Sequence, residues 1–395
     1  MTLRSASTDG TALGAGRITE AKCDLADFVA LIERGTDLAD YPHASHSDRG
    51  VLFYDSAAVT ATTDEAREVL ADELADALLN GPGIVVFTGA FDERHGLAEA
   101  TALFGRIIAD QHDAGIANGD HFAKPGANDR VWNALQKFAE RDPELYSRYY
   151  ANDVLALVCQ AWLGPWYQMT SSVNVVNPGG EAQNPHRDYH LGFMSTDTAE
   201  MFRAHVHRLS PALTLQGAVA HVDMPVESGP TMYLPYSQRY EAGYLAFNLP
   251  EFRRYFADNY VQLPLAAGDA VFFNPALFHA AGHNTSSDIK RMANLLQVSS
   301  AFGRAMDAVD RSAMLRWIYP ALQKLAGSGD QRAVANVIAA SAEGYAFPSN
   351  LDLDQPITGL TGESQAQLLT RALADGFTAE RFDVELSALD ARHIP

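Results

Sequence analysis

Cysteine is almost missing: the 395-residue chain carries only Cys23 and Cys159, far apart and both in helix-like surroundings. That excludes a disulfide framework and a zinc knuckle, and it fits a reducing cytoplasm. Basic charge is also scarce. Lysine and arginine total 29 against 49 aspartate and glutamate, a formal charge of −20 without a basic block, which argues against binding nucleic acid or anionic lipid. No apolar run is long enough to span a bilayer, and the opening "MTLRSASTDGTALGAGR" lacks the apolar centre of a signal peptide. No Gly-x-Ser-x-Gly elbow or phosphate-cradling glycine loop is present. The expectation is a soluble cytoplasmic protein with neither a nucleic-acid nor a membrane partner.

What is present changes character along the chain. Residues 1–17 read as a tail, and "ITEAKCDLADFVALIERG" follows with helical spacing up to Gly35. After a long loop, Thr62 and Glu65 have capping-box spacing ahead of "AREVLADELADALLNG", a helix closed by Gly81. "GIVVFTG" is a short buried-type strand. Helical patterns then run through "HGLAEATALFGRIIAD", "VWNALQKFAE" and "ELYSRYYANDVLALVCQAWLG". From Trp166 the period shortens: "WYQMTSSVNVVN", "ALTLQGAVAHVDM", "TMYLPYS", "VQLPL", "DAVFFNPALFHAAG" and "KRMANLLQVSSAF" are short β-branched or aromatic segments cut by Pro, Gly and Asp. Such a series predicts a sandwich or small barrel, interrupted by one helix in "PEFRRYFADNY". Beyond Arg304 the helical period returns. The boundaries drawn are an N-terminal tail and helical extension over 1–79, a β core with its supporting helices over 80–303, and a C-terminal helical extension over 304–395, α+β overall.

Chemistry concentrates in "QNPHRDYH", residues 183–190. In an extended segment every second residue shares a face, so His186 and Asp188 can grip one ion while Arg187 points away. Imidazole with carboxylate suits iron(II) or a similar divalent metal. A third ligand is available in "AVFFNPALFHAAGHN", which delivers His279 from apolar surroundings, and Arg291 lies twelve residues later. The planar fork of an arginine near a metal suits the distal carboxylate of a bidentate keto-acid. Taken singly, His279 also reads as a core histidine and Arg291 as a surface charge.

Together, "IVVFTGAFD", the His-x-Asp triplet, "AHVDMPVESGPTMYLPYSQ", "LPLAAGDAVFFNPALFHAAGHN" and the arginine beyond it resemble the phytanoyl-CoA dioxygenase family of iron(II) and 2-oxoglutarate oxygenases, from about residue 80 to about 300. The resemblance implies a double-stranded β-helix, the jelly-roll or cupin-like architecture with its metal in the barrel mouth. It maps His186, Asp188 and His279 onto the metal triad and Arg291 onto the 2-oxoglutarate anchor, with Lys290 as rival because one more residue than usual follows His279. It implies molecular oxygen as a partner, succinate and CO2 as co-products, and hydroxylation of a C–H bond of a small molecule. Asp188 occupies the position that related halogenases leave open for chloride, so halogenation is disfavoured.

The chain also departs from the family pattern. Arg187 stands where glutamine is common, "PYSQ" replaces "PGSH", and Ala281 stands where a polar contact to 2-oxoglutarate is often found, leaving Gln216 or Thr214 to serve. Arg187, Tyr189 and His190 are candidates for the substrate side of the pocket, the last two alternatively for packing. His205 and His207 form another same-face pair without a carboxylate nearby. The segment "NGDHFAKPGANDR" is expected to fold over the barrel mouth, where His121, Lys124 and Arg130 would favour an anionic substrate. The helices outside the core would shape the pocket or a contact between copies in a homo-oligomer. Two other readings stay open: a non-catalytic cupin-like module binding a small ligand, and a zinc hydrolase using His279 and His283, whose i, i+4 spacing lacks the glutamate base at Ala280.

Overall fold

The computed structural model describes residues 16–116, 126–190, 192–356 and 359–394. Its strands in chain order are β1 (His46–Asp48), β2 (Val51–Asp55), β3 (Ile84–Thr88), β4 (Asn128–Val131), β5 (Gln168–Val176), β6 (Thr214–Ala220), β7 (Met232–Leu234), β8 (Val261–Gln262), β9 (Ala270–Phe273), β10 (Phe278–Ala280) and β11 (Arg291–Ser299). They form an eight-stranded sheet ordered β1-β2-β3-β9-β6-β11-β5-β4 and a three-stranded sheet ordered β10-β7-β8. Pairing is antiparallel throughout except between β2 and β3. The chain is α+β, with a jelly-roll core beneath helices.

The period-2 segments from Trp166 onward become these strands because each has two usable faces. On β5, Met169, Val173 and Val175 pack into the helical core, while Thr170, Ser172 and Asn174 line the space between the sheets. On β11, Leu296 and Val298 take the helical side, while Arg291, Ala293, Leu295 and Gln297 take the inner one. Register aligns the inner residues in cross-strand rows: Gln297 pairs with Thr170 and Gln216, and Gln216 pairs with Phe273. Val51, Phe53, Ile84, Val86, Leu263, Val271 and Leu277 form one buried apolar cluster, of which Leu263 and Val271 line the inner space. Each fully buried aliphatic or aromatic side chain there contributes ~1.5 to 3 kcal/mol, which makes that lining a fixed wall.

Several sequence expectations are refined. Strands β1 and β2 extend the sheet before residue 80, and β4 takes up the end of the segment expected to fold over the barrel mouth. The helix at Asp64–Leu79 is capped by Thr63, not Thr62, whose hydroxyl donates to Ala58 O at 3.0 Å. The long helical run after Glu144 breaks in two, because Asn152 caps a new helix at Asp153–Leu163 and donates to Ala90 O at 2.7 Å. The C-terminal helices Arg311–Gly327, Gln331–Ser341, Gln365–Ala374 and Ala379–His393 share one core with the helical face of the large sheet.

Candidate metal and 2-oxoglutarate site

The "QNPHRDYH" segment is extended without being a regular strand, and backbone bonds lash it to residues 275–281. Gln183 N donates to Ala281 O at 2.9 Å, His186 and His279 exchange both backbone bonds at 2.9 and 3.0 Å, and Asp188 N donates to Pro275 O at 2.9 Å. Because β10 pairs His279 with Tyr233, both face inward. The result gathers ligand atoms of His186, Asp188 and His279 within 4.8 Å of one another.

These residues fit a divalent metal. Each imidazole Nδ1 faces a backbone carbonyl, Asn184 O at 3.0 Å for His186 and Leu277 O at 2.8 Å for His279. A carbonyl only accepts, so Nδ1 holds the proton and Nε2 keeps its lone pair for a metal. Burial, reinforced by neighbouring His186, pulls His279 down to about 4, so it is neutral at physiological pH. Asp188 has its Oδ2 bonded by Gln216 Nε2, and its buried Oδ1 has no hydrogen-bond partner among the described residues. An orphaned buried carboxylate oxygen is costly unless a cation or donor meets it.

The three ligands open onto a cavity of about 370 Å³. Arg291 lines the same cavity, 7% exposed, with its guanidinium near Ser228 O at 3.5 Å and beside Tyr233. Burial lowers its pKa to about 10, which leaves it charged at neutral pH. No salt bridge pairs it among the described residues, so a buried cation faces the cavity without a carboxylate of its own. The neighbouring Lys290 is exposed.

The sequence of motifs and this geometry agree with a direct comparison: the phytanoyl-CoA dioxygenase (PhyH) family profile matches residues 52–292, more than half of the chain. The chain belongs to the phytanoyl-CoA dioxygenase family. By that membership and its His-Asp-His cluster it is a non-heme iron, 2-oxoglutarate-dependent enzyme. Among solved structures it is similar to the non-heme α-ketoglutarate-dependent epimerase SnoN from nogalamycin biosynthesis, at 21% identity over 60% of this chain and 84% of that one, TM-score 0.39. It is also similar to the carbocyclase SnoK from the same biosynthesis, at 22% identity over 62% and 86%, TM-score 0.40. Likenesses this distant say nothing of substrate. Nothing matches among curated proteins.

Other expected site residues fall elsewhere. Arg187, read as a substrate contact, turns away: its guanidinium is buried, donates to Tyr240 O at 2.9 Å and Ser237 O at 2.5 Å, and lies over the rings of Tyr244 and Phe278. Gly243 makes room for it, since a Cβ there would come within 2.2 Å of the guanidinium carbon. Tyr189 is buried against Tyr244 and bonds His207 Nδ1 at 2.6 Å, a packing role. His190 bonds Thr214 Oγ1 at 2.7 Å and accepts from Arg304 N at 2.9 Å, so His190 and Thr214 brace each other outside the cavity lining. Gln216 does line the cavity, but its amide serves Asp188. His283 is exposed and outside the cluster, which leaves the zinc-hydrolase reading without its second histidine. His121 and Lys124 lie outside the described residues, and Arg130 lines the cavity over Trp132, bonding Ser172 Oγ at 3.1 Å.

Sequence reasoning passed over Thr170, Asn174 and Gln297, all polar and inward-facing. Their parity with Ser172 and Arg291 on known strands was the available cue. Trp132, Phe193, Met306 and Asp307 also line the cavity, and no periodicity in their loops pointed to it.

Proposed function

We propose that the chain is an iron(II)- and 2-oxoglutarate-dependent oxygenase that hydroxylates a C–H bond of a small molecule. The balance is one O2 and one 2-oxoglutarate consumed, with one oxygen atom entering the substrate and the other entering succinate as CO2 leaves. What carries this reading is a single cavity that holds both the His186, Asp188, His279 cluster and the buried Arg291. Bound iron would supply oxygen activation, which no side chain can. The protein's residues do the rest. His186, Asp188 and His279 hold the metal through two imidazole nitrogens and one carboxylate, and Arg291 receives the far carboxylate of 2-oxoglutarate with a planar two-pronged donor.

The wall of Leu263, Leu265, Val271 and Phe273 beside the cluster keeps water out and confines oxidation to the bound substrate. Arg130, Trp132 and Phe193 are assigned to the primary substrate. The test is succinate formation from 2-oxoglutarate by iron(II)-loaded protein across a panel of metabolites. Stimulation by one compound class supports the reading. Arg130→Ala should then weaken that stimulation while sparing the slow turnover without substrate. Iron binding with no succinate above the metal-free background, for every compound, would favour a non-catalytic binding module instead.

A further inference from the structure

We propose that Gln216 is a positioning residue for the metal site: its side-chain amide holds the Asp188 carboxylate so that one oxygen is presented to the ion. The proposal rests on the reading of His186, Asp188 and His279 as metal ligands. Gln216 and Asp188 are 28 residues apart, and Gln216 stands on the inner face of β6 between Phe273 and Gln297 in the cross-strand row. Its Nε2 donates to Asp188 Oδ2, the oxygen that lies 3.8 Å from His279 Nε2. A carboxylate only accepts, so the orientation of the amide is decided by its partner, with nitrogen toward Asp188 and Oε1 away. Both residues are buried, at 6% exposure each, so water offers little substitute for this bond.

The clamp answers a geometric need. A carboxylate turns readily about the bond to its Cβ, a broad two-fold torsion. Asp188 Oδ1 has no partner among the described residues to stop that rotation, and only its backbone is otherwise tied, by Asp188 N to Pro275 O and by Tyr244 OH to Asp188 O at 3.0 Å. Gln216 is the side chain that sets the plane of the carboxylate. Partners one step behind a ligand typically change metal affinity by ~10- to 100-fold when removed. This departs from the sequence expectation of a 2-oxoglutarate contact, and it explains why the position carries an amide, which donates to a carboxylate without adding charge.

Mn(II), which does not oxidise during the measurement, is titrated calorimetrically into wild type, Gln216→Met, Gln216→Asn and Gln297→Met. Methionine matches glutamine in length but cannot donate, and asparagine can donate but is one methylene too short, so either variant tests the clamp if the other fails to fold. Gln297→Met makes the same change in the same cross-strand row without touching Asp188. The expected result is an Mn(II) affinity about tenfold or more weaker for the Gln216 variants and within about twofold of wild type for Gln297→Met, with every variant folded at the titration temperature by circular dichroism. Gln216 variants that bind Mn(II) as wild type does would overturn the proposal, as would an equal loss in Gln297→Met. Failure of wild type itself to bind Mn(II) would overturn the metal-site reading, and the clamp with it.

Discussion

Replacing Arg291 with lysine isolates what a guanidinium does that a bare positive charge does not. Arg291 opens β11 on its inner face, is 7% exposed and is charged at neutral pH, since burial lowers its pKa only to about 10. Lysine retains the charge and loses one of two parallel donors to the far carboxylate of 2-oxoglutarate. A charge-assisted hydrogen bond of this kind contributes ~1.5 to 3 kcal/mol, which corresponds to roughly a tenfold to hundredfold rise in the KM for 2-oxoglutarate. The assay is the initial rate of succinate formation against 2-oxoglutarate concentration at saturating iron. Metal affinity, measured in parallel, should be nearly unchanged, because Arg291 lies outside the ligand cluster. The reasoning fails if Lys290→Ala, at an exposed side chain, raises that KM more than Arg291→Lys does.

The remaining predictions concern metal selectivity, packing and pH. His279→Ala should abolish metal binding, whereas His283→Ala, at an exposed residue outside the cluster, should retain it; equal losses by titration would restore a role for His283. Arg187→Met should destabilise the fold by about 3 kcal/mol in urea, because it strips two charge-assisted bonds from the Tyr240 and Ser237 carbonyls; a loss below ~0.5 kcal/mol would mean that the guanidinium does not brace the ligand segment. His221 is buried between Thr101 Oγ1 at 2.8 Å and Tyr149 OH at 3.0 Å, and burial pushes it down from 6.5 to about 3. Between those values the unfolded chain takes up a proton that the folded one refuses. Stability should therefore be full above pH 6.5 and fall as pH drops toward 3, by up to ~1.4 kcal/mol per pH unit from this residue. His221→Gln should flatten that slope in pH-dependent urea midpoints, and an unchanged slope would assign the acid sensitivity elsewhere.

Strand identity was legible where one face of a segment is wet or polar and the other apolar. Thr170, Ser172 and Asn174 alternate with Met169, Val173 and Val175, and β5 forms as that pattern requires. The roles of His186, Asp188, His279 and Arg291 were legible only through the resemblance to the phytanoyl-CoA dioxygenase family, because taken singly His279 also reads as a core histidine and Arg291 as a surface charge. Strand β2 was passed over within the loop after Gly35 although its four buried residues match the run that marked β3, and β4 escaped because two polar residues lie between its ends.

Periodicity states which residues share a face, and it cannot state which faces meet. The side of the ligand segment that Arg187 occupies depends on a pocket built by Ser237, Tyr240, Gly243, Tyr244 and Phe278, some 50 to 90 residues downstream. The pairing of Gln216 with Asp188 depends on closure of the two sheets around one cavity. Local preference acts over a few residues and sets the strands and their inner faces. The contacts that orient the ligands arise only once chain closure brings distant segments within hydrogen-bond range, and there the tertiary structure alone decides.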